Sequence, residues 1–210
     1  MLLEAYWSAF TKSDGVRLLL KTYLPSWEAG PPDLNLHVEA FARQLGKRRG
    51  DLAAVELHVD ESTSRGALAE MYRGADAFVL PTRGEGWGLP IAEAMASGLP
   101  VIATNFSGPT AFLTDDNSYP LRVARRLPGG QAEPSVADVA QAMKRVRETP
   151  AEARRKGARG SSRSGASSRR AARRRRVGRP RASATSCAGG GWQAAGFSCP
   201  GETRRSLVAG

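Results

Sequence analysis

The stretch Ala75–Gly108, ADAFVLPTRGEGWGLPIAEAMASGLPVIATNFSG, constrains the fold of this chain more than any other. Ala77–Leu80 is a continuous apolar run stopped by Pro81, the pattern of a strand buried on both faces. Thr82–Gly88 then supplies three glycines around Glu85 and Trp87, which allows the backbone to approach a ligand closely. Pro90 suits the start of a helix, Gly98 suits its end, and Val101–Ala103 reads as a second buried strand. The stretch is one βαβ unit. Its loops gather at the carboxyl ends of the strands, where open α/β sheets bind ligands.

The polar groups of this unit point to a chemistry. Glu85 lies in the glycine loop and Glu93 is read in the first turn of the helix, with seven residues between them. The intervening Gly86-Trp87-Gly88-Leu89 brings backbone N–H groups to a helix N-terminus, which suits phosphate. Carboxylates repel phosphate and instead accept hydrogen bonds from hydroxyls, such as those of a ribose and a sugar. The combination suggests a sugar–phosphate–nucleoside ligand. A plainer reading stands beside it, because a glutamate in a first helical turn also complements the helix dipole and a loop glutamate is often only solvated.

The run Glu85-Gly-Trp-Gly-Leu-Pro, Ile91-Ala, Glu93-Ala-Met-Ala and Gly98-Leu-Pro-Val-Ile-Ala-Thr-Asn resembles the nucleotide-binding signature of retaining glycosyltransferases of the GT-B fold. It is similar to the group known as glycosyl transferases group 1, or family 4, whose signature holds two glutamates seven residues apart. The lead-in Leu68…Tyr72…Ala75-Asp76-Ala77 and the follow-on Ser107-Gly108-Pro109-Thr110…Asn117-Ser-Tyr-Pro-Leu look like that family too. The resemblance implies an enzyme that transfers a hexosyl group, with retention, from a nucleotide-diphosphate sugar to an acceptor that the sequence does not name. It implies the catalytic position for Glu85, which would orient the donor-sugar hydroxyls, and ribose binding by Glu93. It also assigns donor binding to the amides from Gly86 through Trp87 and Gly88 to Leu89. No metal and no cofactor beyond the donor substrate is implied. The family's basic pair, which neutralises the diphosphate, belongs on a strand upstream of Met1. The chain is therefore expected to be the C-terminal, donor-binding half of a GT-B enzyme, truncated at its N-terminus and without an acceptor domain.

The rest of the chain supports the same class. Of 210 residues, 151–210 carry 14 Arg and 1 Lys against 2 Glu, a local charge of +13, while 1–150 carry −2. The basicity of the chain is thus confined to its tail. Residues 1–12 read as an amphipathic helix, Val16–Thr22 as a buried strand, and Trp27–Pro32 as a loop. A second helix is expected over Asp33–Leu45 and a third strand over Ala53–Val59. Ser64 is placed to cap a helix carrying Leu68, Met71 and Tyr72, and Pro134–Val146 reads as a last amphipathic helix. This alternation predicts an α/β fold, a Rossmann-like doubly wound parallel sheet over residues 1–150. Residues 151–210, rich in Arg, Gly, Ser and Ala, are predicted to be a disordered tail, since Val177 is the only Val, Ile, Leu or Met from Lys156 to Gly196.

Several other classes find no support. No histidine, cysteine or carboxylate cluster has metal-ligand spacing, and Cys187 and Cys199 read as incidental. The dinucleotide fingerprint is absent, since Gly84 and Gly86 are not followed by a glycine three residues on. There is neither a signal peptide nor a run near 18 apolar residues, so no membrane span is read and the location is expected to be cytoplasmic or else is left unknown. His58 ends a strand on the ligand side and is a candidate contact to the nucleotide base; His37 lies in a helix. Two alternatives remain at this stage. One is a non-catalytic fragment that binds only nucleotide or a partner. The other is nucleic-acid binding through Arg169–Arg181, against which stands the lack of interleaved aromatics for base stacking.

Overall fold

The computed structural model describes residues 1–22, 33–60, 63–175 and 205–209. The loop expected over Trp27–Pro32 lies outside the described residues, as do Cys187, Cys199 and residues 176–181 of the arginine cluster. In chain order the elements are α1 (Leu2–Ala9), β1 (Val16–Thr22), α2 (Leu34–Gln44), β2 (Ala54–Val59), α3 (Arg65–Arg73), β3 (Ala77–Leu80) and α4 (Leu89–Ala96). They continue with β4 (Val101–Thr104), β5 (Tyr119–Leu121), β6 (Arg125–Arg126), β7 (Ala132–Glu133), α5 (Val136–Glu148), α6 (Pro150–Arg175) and β8 (Arg205–Ala209). Local chemistry sets the helix starts. Asp33, Ser64 and Ser135 each accept a hydrogen bond from a first-turn amide, from Asn35, Ala67 and Asp138 respectively.

The main sheet has the order β2-β1-β8-β3-β4-β5, with every pairing parallel. β6 and β7 form a separate antiparallel hairpin. The predicted Rossmann-like α/β class therefore holds. One face of the sheet, with Leu18, Val79, Ile102 and Leu207, packs on α1, α2 and α5. The other, with Phe78, Leu80, Val101 and Val208, packs on α3 and α4 through Tyr72, Ile91 and Met95. Helix α1 is fixed by its polar atoms as well as its apolar ones. The buried Tyr6 hydroxyl lies 3.0 Å from the Val16 carbonyl and 2.9 Å from that of Ala54, and Trp7 Nε1 donates to Ala53 O at 3.2 Å. No helix among the described residues is long and apolar enough to cross a membrane.

Two parts of the predicted disordered tail are ordered elements instead. Helix α6 lies against α4, and its docking face is built from small residues. Ala153, Gly157 and Gly160 recur at helical spacing, and a Cβ on Gly157 would stand 2.2 Å from Gly98 O. Lys156 adds hydrogen bonds from Nζ to the carbonyls of Ser118 (2.9 Å) and Asp115. A close backbone approach replaces the large apolar side chains whose lack argued for disorder. Gly157→Ala separates the two effects. Alanine favours a helix by about 1 kcal/mol over glycine, but overpacking costs roughly 1–3 kcal/mol. The obstructing atom here is backbone and cannot swing aside, so urea unfolding is expected to show a net loss of stability. A gain would mean that α6 does not dock at Gly98.

The second correction is β8. In the doubly wound order 3-2-1-4-5-6 the strand earliest in sequence sits in the middle. Here that position, between β1 and β3, is held by the strand latest in the described sequence. Leu207, Val208 and Ala209 are buried, and Val208 faces the opposite core from its two neighbours. Asp76 secures the strand's start, donating from its amide to Ser206 O (2.8 Å) and accepting from Ser206 N at Oδ2 (2.7 Å).

Candidate functional site

The carboxyl ends of β3 and β4 open into two loops, Pro81–Gly88 and Asn105–Ser107, that grip each other. Ser107 Oγ accepts from Glu85 N at 3.0 Å and donates to Glu85 O at 2.7 Å, and Gly108 N donates to the same carbonyl at 3.2 Å. Ser107 reaches this position at φ 55°, ψ −135°, the one positive φ at a non-glycine among the described residues. Such backbone is costly for a side-chain-bearing residue and is kept where surroundings impose it. Gly108 then passes so close to the partner loop that a Cβ would stand 2.2 Å from Gly86 O.

Gly88 caps α4 in the left-handed region, with φ 82°, and a Cβ there would meet Pro109 and Ile91 at 3.0 and 3.2 Å. Helix α4 starts at Leu89, which makes Glu93 its fifth residue. The expectation that Glu93 lies in the first turn is thus corrected: at 3.6 residues per turn it falls in the second. The correction also weakens the plain reading, because the dipole's pull fades beyond the first turn. Glu93 is exposed and Glu85 half-buried, and neither carboxylate has a hydrogen-bond or ion-pair partner among the described residues. Burial, and then the Glu93 carboxylate, push the Tyr72 phenol on α3 up to about 12.

Between the two glutamates, the N–H groups of Gly86, Trp87, Gly88 and Leu89 make no hydrogen bond among the described residues. Trp87 is 53% exposed and Leu89 64%, with the Trp87 ring tilted against Phe112 at 5.7 Å between centroids. The site therefore offers a row of unspent donors, two unspent carboxylates and an apolar wall at one sheet end. His58 is not gathered there. It lies near the end of edge strand β2, with β1 and β8 between it and β3, and its Nε2 is 3.5 Å from Thr63 Oγ1.

Sequence reasoning assigned no role to Ser107 or to the hairpin residue Glu133. Glu133 Oε1 accepts from Arg83 at 3.1 and 2.9 Å, and its other oxygen accepts from Arg125. The Arg125 and then the Arg83 guanidinium hold its carboxyl below the usual carboxylate range. The Ser-Gly-Pro run after a buried strand is a turn signal that could have flagged Ser107; the hairpin contact spans 50 residues and leaves no local trace.

Fold and loop geometry together define a doubly wound α/β domain whose candidate site lies at the carboxyl ends of the strands. Its fold resembles that of Anabaena HepE, crystallised in complex with UDP and glucose, at a TM-score of 0.50 and 15% identity over 78% of this chain and 50% of that one. The sequence pattern of the family described as "Glycosyl transferases group 1" matches residues 5–149, and the chain belongs to that family. Among its relatives, a D-inositol 3-phosphate glycosyltransferase of Xylanimonas cellulosilytica is 36% identical over 88 residues, 42% of this chain. The lipopolysaccharide core biosynthesis mannosyltransferase LpsB of Rhizobium meliloti is 44% identical over 68 residues, 31% of this chain. The matches span 20% and 18% of the lengths of those two proteins.

Proposed function

We propose that this chain is the donor-binding domain of a retaining glycosyltransferase that moves a hexosyl group from a nucleotide-diphosphate sugar to an acceptor. The observation that carries the reading is the run of four unspent amides, Gly86–Leu89, flanked by the unspent carboxylates of Glu85 and Glu93. Unspent N–H groups at a helix start favour an anion. Carboxylates on either side favour hydroxyls, so the complementary ligand alternates hydroxyl, phosphate and hydroxyl. In this scheme Glu93 accepts from the ribose and Glu85, the catalytic-site carboxylate, from the donor sugar. The amides meet the sugar and the diphosphate, and stabilise charge as it develops on the leaving phosphate. The activities for which the two relatives are named, both sugar transfers, support the reaction class. The UDP and glucose bound to HepE support the donor class.

Calorimetric titration of the full chain with UDP, GDP and their hexose conjugates tests the reading. A charge-assisted hydrogen bond contributes about 1.5–3 kcal/mol, so Glu93→Ala is expected to weaken nucleotide binding by roughly 10–100-fold. Equal affinity in the variant would remove Glu93 from the site.

A further inference from the structure

The hairpin beside the glycine loop carries charge for which the donor scheme has no use. Its backbone is tied to that loop by Ala132 N donating to Arg83 O at 2.8 Å. Glu133, only 13% exposed, holds two guanidiniums at once, Arg83 (58% exposed) and Arg125 (68% exposed). Arg126 is held differently: its guanidinium lies 4.6 Å from the centre of the Phe106 ring, in the loop after β4. It makes no hydrogen bond or ion pair among the described residues.

A structural tether would need less. One exposed ion pair, Arg83 with Glu133, is enough to pin the hairpin, and such pairs contribute little each. The second guanidinium, Arg125, leaves two positive charges on one carboxylate, and Arg126 adds a third to the same hairpin from its place over Phe106. Most of their donors are also unspent, since Arg83 uses two N–H groups and Arg125 one. Guanidiniums fixed by a carboxylate and an aromatic face, with free N–H groups, are matched to a phosphate, which they take in bidentate fashion. Arg83 and Phe106 belong to the loops after β3 and β4, the two that Ser107 locks together around Glu85, and Glu133 ties the hairpin to the first of them.

We propose that Arg83, Arg125 and Arg126 form an anion rim that holds a phosphate group of a substrate lying over the Glu85 loop. The proposal rests on the donor-site reading for what lies beside the rim, and not for the rim's own chemistry. The phosphate belongs either to the donor's diphosphate or to a phosphorylated acceptor.

The test titrates the full chain, at constant ionic strength, with inorganic phosphate, with pyrophosphate and with UDP. The wild type is compared with the double variant Arg125→Ala/Arg126→Ala, which keeps the Arg83–Glu133 tether. Phosphate and pyrophosphate binding are expected to fall at least tenfold in the double variant while the thermal midpoint stays in place. The corresponding double lysine variant should recover only part of the loss, because an ammonium lacks the planar fork. A parallel loss of UDP affinity assigns the rim to the donor diphosphate, and an unchanged UDP affinity assigns it to an acceptor phosphate. Undiminished phosphate and pyrophosphate binding in the double variant overturns the rim, as does a wild-type chain that binds neither anion. Failure of the wild type to bind UDP, with phosphate still lost in the variant, would instead sink the donor reading and leave the rim standing.

Discussion

A chain without Arg205–Ala209 is expected to lose its cooperative urea transition. The strand pairs with β1 on one side and β3 on the other, so its removal leaves two facing edges in the middle of a sheet. It also takes Leu207 out of one core and Val208 out of the other. Burying each of those side chains is worth about 1.5–3 kcal/mol, and unpaired backbone groups add to the loss. A deficit of roughly 5 kcal/mol or more reaches the low end of a domain's whole stability, about 5–15 kcal/mol. The milder Leu207→Ala should cost about 2–5 kcal/mol and leave a measurable transition at lower urea. A shortened chain that unfolds with an unchanged midpoint would mean that β1 and β3 close on each other without β8.

The second large effect is expected at Gly108. An alanine Cβ there would stand 2.2 Å from Gly86 O and 2.7 Å from Trp87 Cα, both backbone atoms. Contacts this short require the Glu85–Gly88 loop to move, and Ser107 would be drawn along because it holds Glu85 from both sides. Overpacking of this kind costs roughly 1–3 kcal/mol of stability. The cost to ligand binding is expected to be larger, because the displaced backbone is the row of donors itself. Gly108→Ala should lower nucleotide-sugar affinity by more than tenfold in calorimetry. Gly84→Ala is the control: its Cβ meets nothing nearer than Phe106 at 3.9 Å. Equal affinity in the two variants would show that the loop's position does not govern binding.

The elements that could be read from sequence are those with a local cause. Ala77–Leu80 and Val101–Thr104 are apolar on both faces because the sheet is covered on both sides. Ser64 and Asp33 cap where a hydroxyl or carboxylate meets a free first-turn amide. Glu93 was displaced by a turn because the position of Gly88 in left-handed backbone, which starts the helix at Leu89, depends on packing against Pro109. Helix α6 escaped the composition argument because Ala153, Gly157 and Gly160 dock through backbone proximity, which no hydrophobicity sum registers. In β8 the apolar signal is three residues long and its partners lie more than 120 positions away. At the site, the two glutamates and the glycines between them were legible. The clamp by Ser107 and the guanidiniums around Glu133 were not, because they arise only when separate loops meet.

The placement of β8 also fixes when the domain can form. Val16 pairs with Arg205, so the centre of the sheet closes a loop of nearly the whole chain. Contacts of such long range are slow to form, since chain entropy is lost well before packing compensates for it. During synthesis the two halves of the sheet can join only after Arg205–Ala209 has left the ribosome, long after β1 and β3 have emerged. Until then β1 and β3 each present an unpaired parallel edge, and such edges are the surfaces on which nascent chains associate. The half-time of refolding, and the yield as protein concentration rises, should therefore be set by capture of a single five-residue strand.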